Sequence, residues 1–155
     1  MRKIAIAAGL VAAAAFAVPA QANEGHVEAR GGIYWTDGYS QAIAGVAAGY
    51  DWDLGTGAFV GGEVSGDKVL DDNTRVTLGL SARVGGKTAS GTKFYGIGGY
   101  QTKPCGGCVH AWSAGVGAEV PFGTSLYGKV EYRHFFVGSG IQDSNAAVAG
   151  LGVRF

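Results

Sequence analysis

Side-chain character alternates with a period of two along almost the whole chain after residue 22. A period of two is the spacing of a β-strand, whose successive side chains point to opposite faces. The pattern predicts an all-β protein with eight strands, at about residues 26–35, 42–52, 58–66, 75–84, 93–102, 110–120, 126–136 and 146–155.

Each predicted strand has one mostly apolar face and one face that carries charges and glycines. In the run 110–120, for example, Trp112, Ala114 and Val116 alternate with Ser113 and Gly115. Short links at 53–57 and 122–125 alternate with longer polar links at 67–74, 103–109 and 137–145, and only the links 36–41 and 85–92 depart from this alternation. Such connections predict an antiparallel up-and-down arrangement with tight turns at one end and looser loops at the other.

Composition narrows the fold to a membrane protein. Charged residues make up 15% of the chain, against about 25% for an ordinary soluble domain. After residue 22 no segment stays apolar long enough to form a transmembrane helix, and lipid otherwise accepts only closed barrels, because it cannot pair an open sheet edge. We therefore expect an eight-stranded antiparallel transmembrane β-barrel.

Alternation alone leaves open a soluble barrel that carries a ligand inside. The charged face of the predicted strands favours the membrane alternative, because its charges are mixed in sign and interleaved with small residues, as a narrow lumen requires. The charged residues on this face are Glu28, Arg30, Asp51, Glu63, Arg75, Arg83, Glu119, Lys129, Glu131, Arg133 and Arg154. The apolar face of the predicted strands carries aromatic residues mainly at strand ends, as in the interfacial girdles of membrane barrels. These residues are Trp35, Tyr50, Trp52, Phe94, Tyr100, Trp112, Tyr132, Phe136 and Phe155. Eight strands give a lumen that side chains fill, so no wide pore is expected.

The first 22 residues resemble a secretory signal. Arg2 and Lys3 precede an apolar stretch, and Ala20, Gln21 and Ala22 match the small-x-small cleavage pattern. A membrane anchor is the alternative, but Pro19 interrupts a run shorter than a bilayer span. We expect residues 23–155 to form one barrel domain. The chain has 12 basic and 12 acidic residues, so it lacks the excess of positive charge that is typical of nucleic-acid binding.

Four segments resemble the small outer-membrane β-barrel proteins of Gram-negative bacteria, the porin-like surface antigens related to the opacity proteins and to the barrel of outer membrane protein A. These segments are 57–64 (GAFVGGEV), 112–119 (WSAGVGAE), 126–133 (LYGKVEYR) and 149–155 (AGLGVRF). With the N-terminal signal, the resemblance covers essentially the whole chain.

The resemblance implies a lumen ion-pair network made of Glu63, Arg83, Glu119, Lys129, Glu131 and Arg133. Glu119 and Glu131 are also candidates for an acid/base pair, but the nearby cations favour the structural interpretation. The resemblance further implies that Leu151, Val153 and Phe155 belong to a C-terminal signal read by the outer-membrane insertion machinery. The implied location is the bacterial outer membrane, with lipid and lipopolysaccharide as partners, and the oligomeric state stays open.

Cys105 and Cys108 form a CxxC motif in a predicted loop. An exported chain with two cysteines predicts a disulfide. A metal site with His110 lacks a fourth ligand in the sequence, and a redox site would need a helix N-terminus.

The sequence offers no catalytic constellation and no cofactor motif. His26, His110 and His134 lie at three separate strand ends, and no helix follows the glycines at 96–99. We therefore expect a non-enzymatic envelope protein with a structural or surface role, and no cofactor or metal. A narrow channel and an outer-membrane lipid-modifying enzyme are the alternatives; the family's members differ in their loops, and the short loops here argue against specific host binding.

Overall fold

The computed structural model describes residues 23–55, 57–138 and 140–155. The signal-peptide prediction for residues 1–22 lies outside these ranges. Eight strands form the fold: β1 (Glu24–Thr36), β2 (Tyr39–Asp53), β3 (Ala58–Val69), β4 (Thr77–Lys87), β5 (Lys93–Gln101), β6 (Ala111–Phe122), β7 (Leu126–Phe136) and β8 (Ser144–Arg154).

Each strand pairs antiparallel with its sequence neighbour, and β1 pairs with β8 to close the barrel. The closing register aligns His26 with Arg154 and Trp35 with Asn145. Closure satisfies every sheet edge, which a membrane requires. The predicted class, an eight-stranded antiparallel up-and-down barrel, is confirmed. Among the described residues, no helix is long and apolar enough to span a membrane.

Several predicted strand ends were wrong. The link between β1 and β2 is not a loop over 36–41 but a two-residue turn at Asp37 and Gly38, with φ of 75° at Gly38; Asp-Gly is a preferred hairpin pair. β4 runs on to Lys87, so the link to β5 shortens to 88–92.

Two charged residues change place with these corrections. Strand β3 extends to Val69, so Asp67 points into the barrel and not into a loop. Arg75 was wrongly placed on the lumen face, because β4 begins only at Thr77 and leaves Arg75 exposed in the preceding link.

The two ends of the barrel differ in their connections. The end that we call the turn end carries the chain termini of the barrel and the links 54–57, 88–92 and 123–125. The end that we call the loop end carries the links 37–38, 70–76, 102–110 and 137–143. The alternation of short turns with longer loops therefore holds, except at the β1–β2 turn.

The outer surface is apolar. Large apolar side chains such as Leu78, Leu80, Val116 and Leu151 are more than 60% exposed, a distribution that water disfavours and hydrocarbon favours. Aromatic side chains form a belt near the loop end, where Trp35 lies 6.1 Å from Tyr132 and Tyr100 lies 5.4 Å from Trp112 between ring centroids. The other predicted girdle aromatics lie outward near the turn end, except Phe136 at the loop end: Tyr50, Trp52, Phe94 and Phe155.

Candidate functional site

The lumen holds the charges of the barrel. Inward positions alternate with the lipid-facing ones on every strand, and twelve acidic or basic side chains are buried there: His26, Glu28, Arg30, Asp51, Glu63, Asp67, Arg83, Lys93, Glu119, Lys129, Glu131 and Arg133. Burying a charge is costly unless it is paired, so their mutual placement decides whether the barrel is stable.

Glu63 lies at the centre of this network. Its carboxylate accepts hydrogen bonds from Lys129 Nζ at 3.0 Å, Arg133 Nη2 at 3.0 Å and Arg30 Nη1 at 3.1 Å. Glu63 is on β3, whereas its partners are on β1 and β7. The contacts therefore cross the lumen and tie together strands that are not paired in the sheet.

Near the turn end, Asp51 is the carboxylate that binds two cations. It accepts two hydrogen bonds from the Arg83 guanidinium, at 2.8 and 2.7 Å, and one from Lys93 Nζ at 2.7 Å. Lys93 Nζ also lies 3.4 Å from Glu119 and pairs with Glu24. The Arg83 guanidinium carbon is 5.8 Å from the ring centroid of Phe59, so an aromatic face supports the cation as well.

A second group of contacts joins β7 to β5 and to β1, the strands that lie two places from β7 on either side in the barrel. Glu131 accepts hydrogen bonds from Arg133 Nε at 2.5 Å and from Tyr95 Oη at 3.0 Å. Lys129 Nζ is 2.5 Å from Glu28, which also accepts a hydrogen bond from Tyr127 Oη at 3.0 Å.

Towards the loop end, Arg30 and Asp67 form the last charged layer. Asp67 accepts two hydrogen bonds from Arg30, at 2.8 and 2.6 Å, and one from Ser65 Oγ at 2.9 Å. Beyond this layer the inward strand positions are uncharged, among them Tyr34, Ile43, Thr77, Phe135 and Ser144.

The structure brings all six residues predicted for the network into one connected group. Glu63 contacts Lys129 and Arg133 directly, Glu131 contacts both of these cations, and Arg83 lies 3.5 Å from Glu119 and 4.0 Å from Glu63. The geometry shows contacts; the role of the group in folding remains a proposal.

Sequence reasoning missed several members. The charged face of the predicted strands includes Glu28, Arg30 and Asp51, but the network that the resemblance implies does not, and the predicted link 67–74 contains Asp67. Lys93 stands at the first position of β5, and His26, Tyr95 and Tyr127 are inward side chains of low or no formal charge. Strict parity counting, with strand ends included, would have found all of them.

Cys105 and Cys108 are joined by a disulfide within the link 102–110, with their Cα atoms 5.0 Å apart. The link is not helical, so the motif lacks the helix N-terminus that lowers a thiol pKa in redox sites. In the described part of the chain, no three His, Cys, Asp or Glu side chains form a group that could hold a metal ion.

The predicted C-terminal signal lies on the outer surface at the turn end. Leu151 and Val153 point outward from β8, and Phe155 is 62% exposed. The backbone of Phe155 exchanges two 2.9 Å hydrogen bonds with Gly25 of β1. These residues therefore complete the β1–β8 seam.

The three histidines do not converge. His26 is buried in the lumen, with Nδ1 3.1 Å from Arg83 Nη2. His134 lies at the rim against Asn145 and Asp143, and His110 stacks 5.4 Å from Tyr100 on the outer surface. Their separation leaves no pair of them to share one reaction centre.

Comparison with solved structures identifies the fold. The barrel is similar to the N-terminal β-barrel domain of OprF from Pseudomonas aeruginosa, with a TM-score of 0.63 and 17% identity over 85% of this chain and 97% of that one. It is also similar to Neisserial surface protein A, with a TM-score of 0.57 and 15% identity over 85% and 95% of the two chains. Ail, the attachment invasion locus protein of Yersinia pestis, gives a TM-score of 0.54 and 12% identity over 86% and 97%.

No protein-family model and no curated protein sequence matches the chain. The structural likeness shows the fold, an eight-stranded β-barrel like those of these small outer-membrane proteins. At these identities the likeness concerns the fold, and function has to be argued from the lumen, the loops and the surface.

Proposed function

We propose that this chain is a bacterial outer-membrane barrel that acts as a structural and surface component of the cell envelope and is not an enzyme. The observation that carries the proposal is the crossed ion-pair network around Glu63, which fills the centre of the lumen. A lumen filled in this way resists free diffusion and stiffens the barrel. Similarity to proteins described as a surface protein and an attachment protein supports a role at the cell surface.

Residues 1–22 would direct export, and Leu151, Val153 and Phe155 would direct insertion by the outer-membrane assembly machinery. Deletion of Phe155 is expected to remove most of the protein from the outer-membrane fraction. Substitution of Phe155 by Tyr, which keeps an aromatic end, is the matched control and should leave the fraction unchanged. Equal insertion of the deletion variant would contradict the insertion signal.

The envelope role is tested in a strain that lacks the gene. We expect altered sensitivity to detergent and to bile-type amphiphiles, with lipopolysaccharide acylation unchanged. Lipid and lipopolysaccharide are the proposed partners, without nucleic acid. A changed acylation pattern that returns to normal only with the wild-type gene would overturn the non-enzymatic assignment.

A narrow channel is the second candidate function. Four buried polar atoms in the lumen make no hydrogen bond with the described residues, namely His26 Nε2, Glu28 Oε1, Arg83 Nη1 and Glu119 Oε2. Buried polar atoms are usually satisfied by protein or water, so this point favours hydration inside the barrel. Discrete conductance steps in planar bilayers that disappear in Arg83→Gln or Glu63→Gln would favour the channel over a closed barrel.

A further inference from the structure

The loop end of the barrel contains a cavity that the ion-pair network does not fill. Its volume is about 560 Å³, and it lies above the Arg30–Asp67 layer, between the barrel wall and the three longer loops. Ligand pockets for small molecules usually have volumes of about 300–1,000 Å³. The cavity therefore has the size of a binding site and not of a packing defect.

The cavity wall is mostly apolar. Its large apolar side chains come both from the strands and from the loops that close the mouth: Ile43, Val69, Val109, Phe135, Val137 and Ile141. Ile141 is 49% exposed although it lines a concave site at the aqueous end of the barrel. When an apolar ligand displaces water from such a surface, the free energy of the system decreases.

The charge balance of the wall favours a neutral ligand. Asp71 is the one ionisable acid or base among the described lining residues, and its carboxylate already accepts hydrogen bonds from Tyr39 Oη at 2.7 Å and from the Asn73 backbone N–H at 3.1 Å. The remaining polar groups, such as the amide of Gln101, can donate to or accept from an uncharged oxygen.

The mouth is held together before any ligand binds. The Arg75 backbone N–H donates to the Pro104 carbonyl at 2.8 Å and so joins the link 70–76 to the link 102–110. Lys68 Nζ donates to the Thr74 carbonyl at 2.8 Å, and the Cys105–Cys108 disulfide closes the loop that forms part of the wall. A preformed wall lowers the ordering cost of binding.

We infer that this cavity, which we call the mouth site, binds a small neutral apolar molecule carrying one hydroxyl or carbonyl group, taken up from the aqueous side. The apolar wall supplies the driving force, and polar groups of the wall such as the amide of Gln101 orient the polar end. The aqueous side is assigned because the cavity opens among the loops and not through the paired strands of the wall. The proposal is independent of the envelope role.

Photo-crosslinking tests the mouth site. The full-length mature protein in lipid nanodiscs is illuminated with a diazirine-bearing medium-chain alkanol, and in a parallel arm with a phospholipid carrying the same diazirine in its acyl chain. We expect the alkanol to label the peptides containing Val109, Val137 and Ile141 saturably, and the phospholipid to label lipid-facing peptides only. Mouth labelling by the phospholipid instead of the alkanol would overturn the aqueous source.

Two substitutions fill the mouth site. Ala111→Phe places a ring in the cavity from β6, and Val137→Trp does so from a loop that is outside the sheet. Each is expected to reduce alkanol labelling of the mouth peptides at least tenfold, while the matched control Ala114→Phe, on the lipid-facing side of the same strand, leaves it unchanged. Unchanged labelling in either folded filling variant contradicts the mouth site; heat-modifiable gel mobility verifies folding.

Competition tests the ligand class. Octan-1-ol is expected to compete with the alkanol at concentrations at least tenfold lower than octanoate, because the described residues that line the cavity include no Lys or Arg to pair with the carboxylate. Equal competition by the two compounds would contradict the preference for a neutral ligand.

Discussion

The lumen of this barrel has two parts that solve the same packing problem differently. Between the turn end and the Arg30–Asp67 layer, acids and bases from opposite walls meet at hydrogen-bond distance, and bulky rings such as Phe59 fill the space beside them. Beyond that layer the inward side chains of the strands are uncharged, and together with the loops they enclose a cavity of about 560 Å³. We propose that the cross-lumen ion pairs stabilise the fold, whereas the side chains of the mouth serve ligand binding.

Removal of Glu63 is expected to have the largest effect on this comparison. Glu63→Ala leaves Arg30, Lys129 and Arg133 buried without their shared anion. Breaking a buried pair in this way costs about 3–5 kcal/mol. We expect a loss of this size in the free energy of unfolding, measured by urea titration of the protein in lipid vesicles.

Two variants control this measurement. Glu63→Gln keeps the shape and one acceptor and should lose less than Glu63→Ala. Gln101→Ala, at the mouth, should change the free energy of unfolding by less than about 0.5 kcal/mol, as is usual away from buried networks. If Glu63→Ala and Gln101→Ala lost similar amounts, the two parts of the lumen would not differ in the way we describe.

The next effect concerns the boundary between the two parts. Asp67→Asn removes the negative charge to which Arg30 donates two hydrogen bonds. Hydrogen bonds to charged groups contribute about 1.5–3 kcal/mol to the free energy of unfolding. We expect a loss in this range, together with faster hydrogen exchange at the Arg30 amide. Ser65→Ala, which removes only the neutral donor to Asp67, is the control and should cost less.

The sequence predicted the sheet far better than it predicted the site. The alternation of apolar and polar positions predicted the number of strands, their up-and-down order and the side on which the charges lie, because every strand faces lipid on one side and the lumen on the other. It failed at strand ends, where Asp67 and Arg75 exchanged their predicted places. The pairing of Glu63 with Arg30 depends on the register of strands that are not neighbours, and the mouth cavity depends on loop conformation; neither follows from periodicity.

A smaller effect separates the aromatic side chains of the two parts. Phe59 is fully buried beside Arg83 and Lys93, whose charged groups lie 5.8 and 5.4 Å from its ring centroid. Phe59→Leu nearly conserves volume but removes the aromatic face, for an expected loss of about 1–2 kcal/mol. Phe135→Leu, at the cavity wall, should lose less than Phe59→Leu, since an existing void lets neighbours adjust. The reverse order in urea titrations would contradict the comparison.

The smallest effect is a titration at the rim of the mouth. The hydrogen bond from Tyr39 Oη, with one from the Asn73 backbone N–H, lowers the pKa of Asp71 below its ordinary value. Tyr39→Phe removes the larger cause, so the pKa of Asp71 should rise towards that of a free aspartate, as read from its carboxyl carbon by NMR.

A lowered native pKa stabilises the fold above the unfolded pKa, and this contribution disappears as the pH falls through the native pKa. Wild type and Tyr39→Phe should therefore differ in stability near neutral pH and converge in acid, whereas Tyr34→Phe, another tyrosine of the mouth, should leave the Asp71 titration unchanged. An Asp71 curve that is the same with Phe at position 39 would mean that the mouth rim is not held by this contact.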